Sequence, residues 1–150
     1  MMETIIKMYQ HLDWANQRII ETLQRMGDQS NQAKQLFSHL LLAEEVWVNR
    51  LKGLDSNPQA IWTELSLAEC ANLVEKNKQN YAGLLTGLTE RQLKEVIVYK
   101  TSSGIEFSTP VGDILTHVAL HGQYHRGQIN QRLREEGHEP INVDYIMFVR

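Results

Sequence analysis

The chain is short of cysteine, proline, basic runs and long apolar stretches, and each shortage removes a class of answer. A single cysteine, Cys70, excludes an intramolecular disulfide and every zinc site built on a cysteine pair, and it fits a reducing cytoplasm. The net charge is −3 and no basic run exceeds two residues, so there is no electrostatic footprint for nucleic acid. No segment approaches the roughly 20 apolar residues that span a bilayer, so no membrane partner is expected. Met1-Met2-Glu3-Thr4 leads into an interrupted apolar pattern unlike a signal peptide. With 42% hydrophobic and 22% charged residues, the 150 residues are expected to form one globular domain, 1–150.

With only three prolines and nine glycines, what is there is helical patterning. From Glu3 to about Met26, Ile5, Met8, Tyr9, Leu12, Ile19, Leu23 and Met26 recur at three- and four-residue steps, and Gly27-Asp28 supplies a stop. A second helix is expected from about Asn31 to Lys52, followed by a turn at Asp55-Ser56-Asn57-Pro58. Ser66 with Glu69 is a capping-box signature, and Leu67, Cys70, Ala71, Val74, Tyr81, Leu85 and Leu88 give a third helix its face. The connection between helices two and three is about a dozen residues, long enough to cross along a bundle. Glu95–Lys100 and Ile105–Ser108, flanking Thr101-Ser102-Ser103-Gly104, predict a small β-hairpin, which needs the bundle for support because an isolated hairpin is marginal. Thr109-Pro110 reads as an N-cap and a first helical proline, opening a fourth helix that runs to about Glu136. Gly137 and Pro140 close it, and the apolar tail Ile141–Arg150 must cover either its own bundle or a second chain.

Six histidines, three of them within nine residues, ask for an explanation. His117, His121 and His125 are spaced i, i+4, i+8, so each adjacent pair stands one helical turn apart. All three cannot share an ion: the outer two are about 12 Å apart along the axis, whereas zinc-to-nitrogen bonds are about 2 Å. Projected at 100° per residue from Ile114, His121 and His125 fall at about −20° and +20°, among Val118 and Ile129, while His117 falls at about −60°. The inward pair is therefore His121 with His125. On helix two, His39 sits at about −60° from Leu36, inside the stripe that includes Leu40, Ala43 and Trp47. Alone it reads as a hydrogen-bonded core residue; facing an inward His-x3-His it reads as a third ligand. The alternative is a buried polar network joining His121 and His125 to Asn16 or Gln128. His11 on the flank of helix one, His138 in a turn and His117 are expected to play no ligand role, with His117 at most supporting a neighbour.

The run His117-Val118-Ala119-Leu120-His121-Gly122-Gln123-Tyr124-His125-Arg126-Gly127-Gln128-Ile129 resembles the fourth-helix signature of the DinB/YfiT-like metal-binding proteins. Trp14-Ala15-Asn16-Gln17-Arg18 and His39-Leu40-Leu41-Leu42-Ala43-Glu44-Glu45-Val46-Trp47 are similar to that family's other motifs, as is the closing Asp144-Tyr145-Ile146. The resemblance implies an all-α fold, a four-helix bundle with a long crossover, usually dimeric, with a metal ion held by His39, His121 and His125. It also favours chemistry on a low-molecular-weight thiol, because characterised relatives include thiol S-transferases.

Three neutral imidazoles suit zinc, nickel, cobalt or ferrous iron and leave a coordination position open. The expected function is a metal-dependent enzyme activating a thiol or water for S-transfer or hydrolysis of a small-molecule substrate; the alternative is a non-catalytic metal-binding sensor or stress-response dimer. No catalytic base is identified: Glu44, at about +80° on helix two and so at the edge of the inward face, could reach the site, but a solvated role is preferred. Asn16, amid Leu12, Ile19 and Leu23, is expected to make a buried polar contact. Arg126 is read as an anion-binding residue or a surface or packing one, Trp14, Trp47 and Tyr124 as core in preference to pocket-lining, and Cys70 as buried and inert.

Overall fold

The computed structural model describes all 150 residues, with the side chains of Asp28 and Gln59 excepted. Five helices, α1 (Met2–Met26), α2 (Asn31–Leu51), α3 (Leu67–Thr86), α4 (Val111–Glu135) and α5 (Tyr145–Val149), accompany one antiparallel hairpin, β1 (Val96–Lys100) with β2 (Glu106–Pro110). The fold is the expected helical bundle with a small hairpin between its third and fourth helices. Among the described residues no helix is long and apolar enough to cross a membrane.

Helix boundaries follow local chemistry. Gly27 ends α1 with φ of 63° and Gly137 follows α4 with φ of 81°, left-handed backbone that a side chain would strain. At the start of α3 the Glu69 amide donates to Ser66 Oγ at 3.1 Å, and the Ser66 amide donates back to Glu69 Oε2 at 2.8 Å. Both orphan N–H groups of the capping box are thereby satisfied. Ser66→Ala is expected to lower the unfolding free energy by about 1 kcal/mol in a urea titration. The α4 start differs from expectation: Pro110 is the N-cap and also the last residue of β2, while Thr109 stays in the strand and its hydroxyl meets Tyr99. Proline suits this junction because a capping position and the end of an edge strand both tolerate a missing N–H donor.

Side-chain pairings fix the topology. Tyr9 with Leu115 and Asn16 with Arg126 run in step, so α1 and α4 are parallel. Ser38 with Cys70, Glu44 with Asn77 and Lys52 with Asn80 make α2 and α3 parallel as well. Trp47 with His117 and His39 with His125 run oppositely, which sets α2 antiparallel to α4. Two consecutive parallel helices require a return connection, and residues 52–66 provide it: the chain doubles back along α2 until Leu65 N donates to Ser38 Oγ.

The core falls into two apolar clusters. One contains Ile19, Leu23, Phe37, Leu40, Val74 and Leu133; the other contains Ile5, Leu12, Val48, Leu85 and Leu115. The tail contributes Ile141 and Val143 to the first, so it covers its own bundle, and Asn130 pins it by exchanging two 2.7 Å hydrogen bonds with the Ile141 backbone. Beneath the tail, His11 Nε2–H donates to the Val143 carbonyl at 2.7 Å, so this histidine is buried and not on an open flank. Cys70 is buried as expected, and burial raises its thiol pKa.

Candidate metal centre

His39 on α2 meets His121 and His125 on α4, and one ligating nitrogen from each lies within 4.8 Å of the other two. The antiparallel pairing of α2 and α4 brings this about, since it places the His121–His125 turn opposite His39. The His121 and His125 Nε2 atoms are 3.1 Å apart, close to the roughly 3.3 Å that tetrahedral coordination at zinc-nitrogen bond lengths imposes.

The second nitrogens show how the rings are aimed. His39 Nδ1–H donates to the Ile61 carbonyl at 2.8 Å, and His125 Nδ1–H donates to Gln128 Oε1 at 2.7 Å. Each bond fixes the tautomer that leaves Nε2 with a lone pair, the arrangement typical of metal-ligating imidazoles. His125 thus makes the Gln128 contact anticipated for a polar network and still offers a ligating nitrogen. Trp62, from the crossover, lies flat on the His39 ring with centroids 3.6 Å apart and planes 6° apart. Trp62 is 65% exposed and shields one face of His39 from solvent.

Two of the rings, His39 and His121, favour the neutral state that a metal requires. Burial lowers the His39 pKa against the pull of the Ile61 hydrogen bond. Burial, with His125, His117 and His39 nearby, pushes His121 down to about 4. His117 stays out of the ligand group; its ring is 5.4 Å from His121 and 5.4 Å from Trp47.

Behind the histidines, each long helix contributes one polar residue to a buried layer between the two apolar clusters: Asn16, Glu44, Asn77 and Arg126. Asn16 Nδ2 donates to both Glu44 oxygens at 3.1 and 3.2 Å, Asn77 Nδ2 donates to Oε2 at 3.1 Å, and Arg126 Nε donates to Asn16 Oδ1 at 3.1 Å. The Arg126 guanidinium stands 3.9 Å from Glu44. Glu44 is therefore buried, not solvated, and Arg126 belongs to the interior instead of an anion-binding surface. The helical projection placed Glu44 at the edge of the inward face, but polarity alone favoured water; three polar partners on other helices, distant in sequence, reverse that preference. Burial pushes its carboxyl up to about 7, opposed by Arg126, Asn16 and Asn77.

Gly122 makes space for this layer. A Cβ there would stand 3.0 Å from Arg126 Nη2 and 3.3 Å from Cζ, and Arg126 is held by Asn16 and by Gln123. Gly127, on the same helix, faces open space. Gly127→Ala is expected to stabilise by about 1 kcal/mol through helix propensity, whereas Gly122→Ala is expected to destabilise by roughly 1–2 kcal/mol because overpacking outweighs that gain. Thermal unfolding of the two variants gives the comparison.

A helical bundle presenting three histidines, each turning one ring nitrogen toward the other two, defines a protein able to hold a metal ion. The family model described as the DinB family matches residues 1–150, and the chain belongs to that family. It is similar to Protein DinB of Bacillus subtilis (strain 168), with 27% identity over 169 residues, spanning 99% of this chain and 95% of the relative. Sequence reasoning missed Trp62; a tryptophan in a polar crossover was its one available signal.

Proposed function

We propose that His39, His121 and His125 hold one divalent metal ion and that the protein is a metal-dependent enzyme acting on a thiol or water, of the S-transferase or hydrolase type. The observation that carries this reading is the convergence of three ligating nitrogens, with the His39 and His125 rings anchored through their other nitrogens. The ligand group so defined holds three side chains, which for zinc is the count of catalytic sites, where structural sites have four. A bound ion would supply Lewis acidity, lowering the pKa of a thiol or water at its open position.

The chain's own residues supply the rest. Ile61 and Gln128 orient two imidazoles, Trp62 restricts solvent on one side, and the buried polar layer holds α1, α2, α3 and α4 in register behind the ligands. The native ion is zinc, nickel, iron or cobalt by the softness of imidazole, with selection among them left to supply.

A screen of the zinc- and nickel-loaded protein against alkylating and acyl electrophiles, with bacillithiol, glutathione, cysteine or water as nucleophile, tests the reading. Metal-dependent turnover that requires a thiol supports the transferase, and turnover with water alone supports the hydrolase. No turnover with any nucleophile would contradict an enzymatic role and leave a non-catalytic metal-binding protein.

A further inference from the structure

A groove of about 480 Å³ is lined by Gln32, Gln35, Leu36, Glu64, Arg132 and Trp62, the residue stacked on His39. We propose that this groove binds the carboxylate end of the small-molecule substrate, with Arg132 pairing with the carboxylate and Trp62 stacking on an apolar, flat portion of the same molecule. The inference rests on the reading of the histidine cluster as a reactive metal centre, and deepens it by naming a substrate class.

Helix geometry ties the groove to the site. Arg132 lies seven residues beyond His125 on α4, and Gln32 lies seven residues before His39 on α2. Seven residues are about two turns, or about 10 Å, and return nearly to the same helical face. Because α2 and α4 are antiparallel, both displacements point the same way along the bundle. Trp62 joins the two regions, since it stacks on His39 and also lines the groove. A ligand seated between Arg132 and Trp62 would therefore extend toward the histidines past the Trp62 ring.

The charge pattern selects the ligand. Glu64 is paired with Lys34 at 3.4 Å, and Arg132 Nη1 with Glu135 at 3.0 Å. The Arg132 pair is half-exposed, which makes it a weak, exchangeable contact. With Glu64 offset by Lys34 and Glu135 beside Arg132, these groups carry no net positive charge to hold a dianionic phosphate, and the one exchangeable pair, that of Arg132, suits a single negative charge. The amides of Gln32 and Gln35 and the exposed indole add hydrogen-bonding and apolar surface, a combination matched by an amphipathic organic acid.

The experiment follows the indole N–H resonance of Trp62, assigned with Trp62→Phe, as 3-phenylpropanoate or its neutral amide is titrated into zinc-free and zinc-loaded protein. The acid is expected to bind roughly fivefold more tightly than the amide in both forms, the scale of a partly exposed charge-assisted contact. Arg132→Gln is expected to bring the two within about twofold while leaving zinc affinity unchanged, and Arg132→Lys is expected to keep part of the preference. Equal binding of acid and amide by the wild type would overturn the inference, as would a preference that survives in Arg132→Gln, which would mean that the carboxylate sits on the ion. If zinc binds the histidines but neither probe shifts Trp62, the groove assignment fails and the metal site stands. If zinc does not bind, the metal reading fails, and the acid preference of the zinc-free protein still decides the groove assignment.

Discussion

Glu44→Ala is expected to lower the unfolding free energy by about 3–5 kcal/mol, the largest single-residue effect anticipated in the molecule, because it removes the acceptor at the centre of the buried polar layer and opens a cavity beside Arg126. Arg126 is 1% exposed, its Nη2 is buried without a hydrogen bond, and Asn16 and Asn77 would each lose an acceptor. Glu44→Gln keeps the volume and is expected to cost much less, with a characteristic pH dependence. The folded carboxyl titrates at about 7, above its ordinary value of 4.5, so between those pH values the folded state holds a proton that the unfolded state has released. The contribution of Glu44 to stability is therefore full below about pH 4.5 and is lost as pH rises to about 7, a change of about 3 kcal/mol. Glutamine has no such titration, so the stability of Glu44→Gln relative to wild type should rise by that amount over the same window. The lowered His11, His39, His117 and His121 act with opposite sign, losing stability as pH falls below about 6.5, but they are common to both proteins and cancel in the difference. Urea titrations of both proteins from pH 4.5 to 8 check this, and a flat difference would contradict a protonated Glu44.

Zinc at about a thousand times its dissociation constant is expected to raise the unfolding free energy by about 4 kcal/mol, and excess chelator should reverse the gain. The gain arises because the ion binds the folded chain and not the unfolded one, where His39 is separated from His121 by 82 positions of flexible chain. His125→Ala is expected to abolish most of the increment, since it removes the central ring: His125 contacts His121 at 3.1 Å between nitrogens and His39 at 4.7 Å between ring centroids. Thermal unfolding with and without zinc provides the readout. An equal increment in His125→Ala would place the ion elsewhere.

The helices were legible because apolar residues at helical spacing are a local signal and because Ser66, Glu69, Gly27 and Gly137 mark boundaries through backbone chemistry that acts within a turn. The inward phase of His121 and His125 was legible for the same reason, and His39 needed the resemblance to a known family to join them. What local pattern could not show was pairing between helices. Glu44 looks like a solvated residue until Asn16, Asn77 and Arg126 are placed around it, and Trp62 looks like a loop residue until the crossover lays it on His39. Pro110 was misplaced by one position because the preference for proline at the first helical turn competes with its equal acceptability at the end of an edge strand.

The proposed metal centre is one ion held by His39, His121 and His125. Metal content measured by mass spectrometry after zinc loading and desalting, on wild type and on His39→Ala, His121→Ala and His125→Ala, tests this most directly, with circular dichroism confirming that each variant is folded. The prediction is one zinc per chain in the wild type and a large loss in each folded variant; a wild type that retains no metal, or variants that retain it undiminished, would contradict the account.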